Sequence, residues 1–175
     1  MSADTTRVLA QATGTLTADR LRELLNYDPG TGVFTRKVGR AGNAKEGEVA
    51  GYRSRKGYRV IKIDCRPYKA HRLAWLYETG AWPADLIDHI NGIKDDNRFV
   101  NLREATNAEN IQNAKRFKSN SSGFKGVSFL RGRWSSRIRI GGKSKWLGWF
   151  YTPEEAYAAY ISAAEKYHGE FARLT

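Results

Sequence analysis

Asp88 and His89 stand side by side in the apolar stretch "LIDHI", and Asn101 and Asn110 follow twelve and twenty-one residues after the histidine. A carboxylate and an amide oxygen make a hard, oxygen-rich donor pair suited to magnesium or manganese, a site that phosphate and water would complete. An imidazole beside it, with an unperturbed pKa of about 6.5, can take a proton from water near neutrality. Asn101 could hydrogen-bond the imidazole or the loop and so fix the direction of His89. Taken singly, each residue has a plainer reading: a lone histidine is commonly structural, and asparagines serve turns. The spacing carries the chemistry, because a strand, loop and helix that fold back compactly bring Asp88 and Asn110 to one point.

The elements that must do this are legible in outline. "TLTADRLRELL" reads as a short helix capped by Thr17, with Leu21, Leu24 and Leu25 on one face, and "DPGTG" turns the chain into a strand. Residues 49–80 read as two strands joined at Gly57, then a helix from about Lys69 to Glu78. "LIDHI" is a short strand, "NGIKDDNRFVNL" a loop, and "TNAENIQNAKRF" a helix whose Thr106 and Glu109 form a capping box. Three further strand-like runs, "KGVSFL", "RWSSRIRIGG" and "KSKWLGWF", precede a helix with Thr152 as cap, Pro153 at its first position and Glu155 closing a second box. Ala156, Ala159, Tyr160, Ala163, Ala164 and Tyr167 recur at helical spacing as the face that lies on this sheet. In the middle run Trp134, Ser136, Ile138 and Ile140 alternate with Arg133, Ser135, Arg137 and Arg139, which places three arginines on the opposite face.

Charge names the class of partner. Among 175 residues there are 30 Lys and Arg against 18 Asp and Glu, a net charge of +12. From Arg116 to Lys145 the chain carries nine basic residues and no acid. Such acid-free stretches favour phosphate contact over a plain solvated face. No run approaches the roughly 20 apolar residues of a membrane span. The N-terminus lacks the pattern of a secretory signal, and Cys65 is the only cysteine, so no disulfide framework or paired-cysteine zinc site is possible within the chain. The compartment implied is cytoplasmic, the host cytoplasm if the chain is phage-encoded. Neither a membrane nor a protein partner is implied.

The segment from "HRLAW" through "DHINGIKDDNRFVNLR" to "TNAEN" resembles the HNH nucleases, also called the ββα-metal or His-Me fold, and in particular their phage and intron-encoded homing endonucleases. That resemblance, over roughly residues 65–115, implies His89 as general base, Asp88 and Asn110 as ligands of one Mg2+ or Mn2+ ion per site, and Asn101 as the residue that positions the loop. His71 and Arg72 match the family's "HR" pair, either as phosphate contact or as helix packing. Residues 123–172 resemble the plant APETALA-two/ethylene-response-factor DNA-binding domain. That second likeness implies DNA contact by Lys125, Ser128, Arg137, Arg139 and Trp146, to which Arg72 and Arg133 add basic candidates, with Trp134 in the core.

The expectation is an α+β protein: a ββα-metal nuclease module, then a three-stranded antiparallel sheet packed on one helix. Residues 1–15 form a mobile tail, 16–115 the nuclease domain, 116–122 a linker and 123–175 the DNA-binding domain. The expected function is metal-dependent hydrolysis of double-stranded DNA, as a nick by a monomer or as a double-strand break by a dimer or by two successive nicks, with the C-terminal sheet recognising the site. Two rivals are a DNA-binding regulator without catalysis and an RNA-binding protein. The four intact motif residues oppose the first, and the lack of single-strand recognition motifs opposes the second.

Overall fold

The computed structural model describes residues 15–39, 45–113, 120–172 and 174. Residues 1–14, and with them nearly all of the expected tail, lie outside the described residues, as do Arg116, Lys118 and the first part of the expected linker. The chain divides into two compact units, one ending at Glu104 and the other beginning at Ala105. Mixed helix and sheet make it an α+β protein. Among the described residues no helix is long and apolar enough to cross a membrane.

The first unit opens with helix α1, Ala18–Leu24, whose cap Thr17 accepts a hydrogen bond from the Arg20 amide at 3.2 Å. Leu21 and Leu25 are buried, but Leu25 already begins strand β1, Leu25–Asp28, which pairs antiparallel with β2, Val33–Arg36. Strands β3, Tyr52–Arg53, β4, Arg59–Ile63, and β5, Arg66–Lys69, form an antiparallel sheet in that order. The sequence had suggested two strands in this region where there are three. The second turn is Asp64–Cys65, both left-handed at φ 45° and 65°. Paired positive φ angles of this kind normally advertise themselves through Asn-Gly or Asp-Gly, and this turn has neither.

Helix α2, Ala70–Thr79, follows and buries His71, Leu73, Ala74 and Leu76, and Gly80 ends it in the left-handed region. Strand β6, Leu86–His89, forms a two-stranded sheet with β7, Leu102–Ala105. The stretch that reads as uninterrupted loop thus ends in a short 3-10 turn, Phe99–Asn101, and then a strand. Phe34, Leu21, Ile61, Leu73 and Leu76 lie fully buried in the core beneath these elements.

In the second unit, helix α3, Asn107–Gln112, carries the complete capping box of Thr106 and Glu109. Strands β8, Val127–Leu130, β9, Arg133–Ile140, and β10, Lys143–Phe150, are antiparallel with β9 in the middle. Helix α4, Pro153–His168, has the second capping box and buries Ala156, Tyr160, Ala163 and Ala164 against Ile138. Tyr167 does not belong to that buried face. It is exposed with the Lys145 ammonium over its ring, and His168 is buried in its stead, donating from Nε2 to the Arg139 carbonyl at 2.8 Å. Trp134 is half-buried at the rim, 5.0 Å from the Phe129 ring, and is not part of the core cluster.

Gly126 marks the tightest approach of helix and sheet. Its φ is +75°, and a Cβ there would stand 2.2 Å from Tyr160 Cδ2 and 2.6 Å from the Arg137 carbonyl oxygen. Left-handed backbone and overpacking together cost about 3 kcal/mol for a non-glycine residue. Gly126→Ala is therefore expected to lower the melting transition of the second unit by several degrees and to leave that of the first unit in place, as followed by calorimetry.

Candidate active site

Strand β6 is short enough that its two last residues define the site. Successive side chains of a strand point to opposite faces, so Asp88 and His89 meet different neighbours. Asp88 meets Arg103 on β7, whose Nε and Nη2 both donate to Oδ2, at 3.2 and 3.1 Å. The two side chains are only 7% and 12% exposed. Removing either partner of so buried a pair leaves an uncompensated charge, at about 3–5 kcal/mol. The pair therefore fixes the carboxylate's direction as firmly as it fixes the arginine's.

His89 lies in an aromatic nest. The His71 ring sits edge-on to it with centroids 4.9 Å apart and planes at 85°, and the Tyr58 ring is 6.1 Å away. Burial pushes the His89 pKa below the ordinary histidine value, while the Asn97 side chain, Asp88 and Asp96 pull the other way and Lys94 adds to the lowering. His71 is more extreme: burial first, then His89, Lys69 and Arg72, hold it down to about 3. Its Nδ1 has no hydrogen-bond partner among the described residues. Both imidazoles are thus neutral at pH 7, and a neutral imidazole is the form that can accept a proton. Burial, followed by the charge of Asp88, pushes the Tyr58 hydroxyl up, so that ring stays neutral as well.

The loop after His89 is closed by its own asparagines. Asn101 Oδ1 accepts from the Asn91 amide at 3.0 Å, and its Nδ2 donates to Asn91 Oδ1 at 3.1 Å and to the Asp96 carbonyl at 2.9 Å. Asn91 Nδ2 in turn donates to Asp96 Oδ2 at 2.7 Å. Arg98 grips Asp96 with two donors and, with Asn91, holds its carboxyl down to about 2. Arg59 likewise donates twice to the Asp95 carboxylate, at 3.1 and 3.3 Å. Asn101 therefore braces the loop, and all its side-chain hydrogen bonds among the described residues go there rather than to the imidazole. Asp95 and Asp96 are engaged in shaping that loop.

The remaining sequence candidates are distributed as follows. Asn110 is exposed on α3, in the second unit. Arg72 is half-buried, with its guanidinium over Trp82 at 5.7 Å and a hydrogen bond to the Asp85 carbonyl at 3.3 Å, a packing arrangement. Lys125 Nζ donates to the carbonyl of Gln112 at the end of α3, at 2.6 Å. Ser128, Arg133, Arg137, Arg139 and Trp146 are exposed on the sheet. Ser135, between them on β9, is fully buried beside its cross-strand partners Ser128 and Trp149. The sequence reading missed Arg103, Asn91, Tyr58 and Trp149. Trp146 and Trp149 are three residues apart, which in a regular strand would set them on opposite faces. The register shift between Trp146 and Gly148 returns both to the arginine face, their rings 6.3 Å apart. Gly148 inside an apolar strand was the available signal for that bulge.

Among the described residues no group of three His, Cys, Asp or Glu side chains is placed to hold a metal ion. The donor chemistry nevertheless fits a hard divalent cation, which takes carboxylate and amide oxygens and completes its shell with water and phosphate.

A model of the HNH endonuclease family matches residues 68–112, the stretch that runs from β5 through α2, β6, the braced loop and β7 to the end of α3. Protein 3.8 of Escherichia phage T7 is 35% identical over 115 residues, covering 61% of this chain and 93% of that protein. The chain belongs to the HNH endonuclease family. At the level of the family this is a nuclease with DNA as substrate, and HNH nucleases generally use a divalent metal ion.

The depressed histidines of the HNH module have a consequence for stability. A buried base that stays neutral when folded but takes a proton when unfolded favours the unfolded state as pH falls. For His71 the penalty begins near its unfolded value of 6.5 and is complete near its folded value of about 3. Within that window stability is lost at up to about 1.4 kcal/mol per pH unit for one proton. Urea melts between pH 6.5 and 4 are expected to show this slope, and His71→Gln to flatten it.

Proposed function

We propose that this chain is a metal-dependent DNA endonuclease of the phage or mobile-element homing type, hydrolysing a phosphodiester to 5′-phosphate and 3′-hydroxyl ends. The observation that carries the reading is a neutral, buried His89 at the end of β6, beside a carboxylate oriented by Arg103, inside the HNH-matched segment. His89 takes the proton of a water aligned opposite the leaving 3′ oxygen. Asn101 keeps the loop after His89 closed, which holds that end of the strand against the approaching backbone. One Mg2+ or Mn2+ ion, bound by Asp88 and by Asn110, would stabilise the charge that develops on the phosphate and the leaving oxygen. Asn110 enters this scheme from the motif alone. One such site per chain cuts one strand, so a monomer nicks.

The proposal extends to a division of labour on double-stranded DNA, in the cytoplasm. Residues 16–115 are the nuclease module, 116–122 the linker, and 123–175 an APETALA-two/ERF-type domain that selects the site. Support comes from the exposed face of β9 and β10, where Arg133, Arg137 and Arg139 stand with Trp146 and Trp149. Lys125, tied to the end of α3, serves DNA only if it leaves that carbonyl.

His89→Ala is expected to lower the rate of nicking of supercoiled plasmid by about 10²–10⁴, with DNA affinity close to the parent and with EDTA abolishing cleavage by both. Asp88→Ala is expected to be equally inactive, and because it strands Arg103 its folding is checked alongside. A parent protein that binds DNA and never cuts it with magnesium or manganese would establish the regulator reading.

Arg139→Ala is expected to relax selection at one or two adjacent base pairs, since a guanine contact discriminates by about 1–3 kcal/mol. Selection from a randomised-site library checks this. Unchanged sites with uniformly weaker binding would mark Arg139 as a phosphate contact.

A further inference from the structure

Three neighbouring acids of the first unit are each tied to an arginine: Asp88 to Arg103, Asp95 to Arg59 and Asp96 to Arg98. Two lysines beside them are not so committed. Lys69 Nζ lies 4.7 Å and Lys94 Nζ 4.9 Å from the centroid of one ring, that of Tyr58. Neither lysine has a carboxylate partner among the described residues. Both are exposed, whereas Tyr58 is half-buried, with its ring 5.3 Å from His71 and 6.1 Å from His89.

Placing two ammonium groups at a single ring is electrostatically unfavourable, and here they come from two different segments of the chain. Lys69 ends β5 and stands at the cap of α2, whose first turn has no acidic side chain and whose cap makes no side-chain hydrogen bond. Lys94 is carried by the loop that Asn101 closes, and its ammonium also donates to the Lys56 carbonyl at 3.3 Å. A neutral aromatic face attracts each cation but does nothing to cancel their mutual repulsion. An anion bound within reach of both does. A phosphate is the anion a basic, DNA-directed module meets there, and lysine serves phosphate as a mobile point charge.

We infer that Lys69 and Lys94, spaced by Tyr58, form a clamp for a backbone phosphate of the DNA strand adjoining the scissile phosphodiester. This rests on the nuclease reading above and deepens it: the clamp sets which phosphate reaches His89. It is a binding element of the first unit, separate from the arginine face of β9.

The test uses the full chain carrying His89→Ala, so that binding is read without cleavage, and compares it with the same chain also carrying Lys69→Gln and Lys94→Gln. Two lost phosphate contacts are expected to lower the slope of log affinity against log salt by about 1.8, with Lys69→Arg and Lys94→Arg restoring it. A duplex with one neutral methylphosphonate beside the cut is expected to bind the parental lysine pair less tightly than plain duplex, and to be indistinguishable from it for the glutamine pair. In the cleaving protein, the glutamine pair is expected to slow nicking at limiting DNA. An unchanged salt slope, or a methylphosphonate effect that persists without the lysines, would overturn the clamp while leaving the His89 result, and with it the nuclease reading, untouched. A changed slope in a protein that never cuts would keep the phosphate contact and remove the nuclease reading instead.

Discussion

Asn101 gives its side-chain hydrogen bonds to the loop that follows His89, and the geometry of the candidate site depends on that closure. A twelve-residue excursion between two four-residue strands would otherwise be free to wander, because strands so short carry little pairing energy of their own. The amide of Asn101 is suited to the task because it offers an acceptor and two donors at once. It meets Asn91 amide and side chain as well as the Asp96 carbonyl. With those bonds in place the loop becomes a rigid bracket, which holds His89 on one side and presents Lys94 on the other.

Electrostatics inside the first unit follows a single pattern. Each of the acids Asp88, Asp95 and Asp96 has an arginine, while the two histidines are kept neutral by burial. Cancelling the negative charges locally leaves lysines as the uncompensated groups near His89. A substrate that is itself a polyanion is drawn to such a place, and the proton acceptor there needs no deprotonation before it can act.

The second unit solves a different problem. A small sheet that among the described residues buries Val127 and Ile138, against a few alanines, Tyr160 and Phe171, has one face to spare. The helix, with its small residues, closes one side. The other side keeps three arginines, and the β10 bulge brings two tryptophans to the same side as those arginines. Ser135 is short enough to disappear beneath them.

What the sequence by itself determined is everything governed by neighbours within a turn or two of chain. The caps at Thr17, Thr106 and Thr152 are local hydrogen bonds, and both boxes are present in full. The alternation of β9 and its burial of Ile138 follow from the period of a strand. The Asp88–His89 motif was visible because it is contiguous. What only the tertiary structure decided depends on contacts between distant segments. Arg103 reaches Asp88 only because β7 pairs beside β6, and β7 was hidden in a stretch rich in turn residues. The Asp64–Cys65 turn escaped notice because neighbouring strands, not a glycine, enforce its left-handed backbone. His71 meets His89, and Tyr58 meets both, because the β4–β5 sheet and α2 share one core with β6. A sequence records which side chains are available for such meetings; only packing, which lowers free energy by burying surfaces far apart in the chain, decides which of them occur.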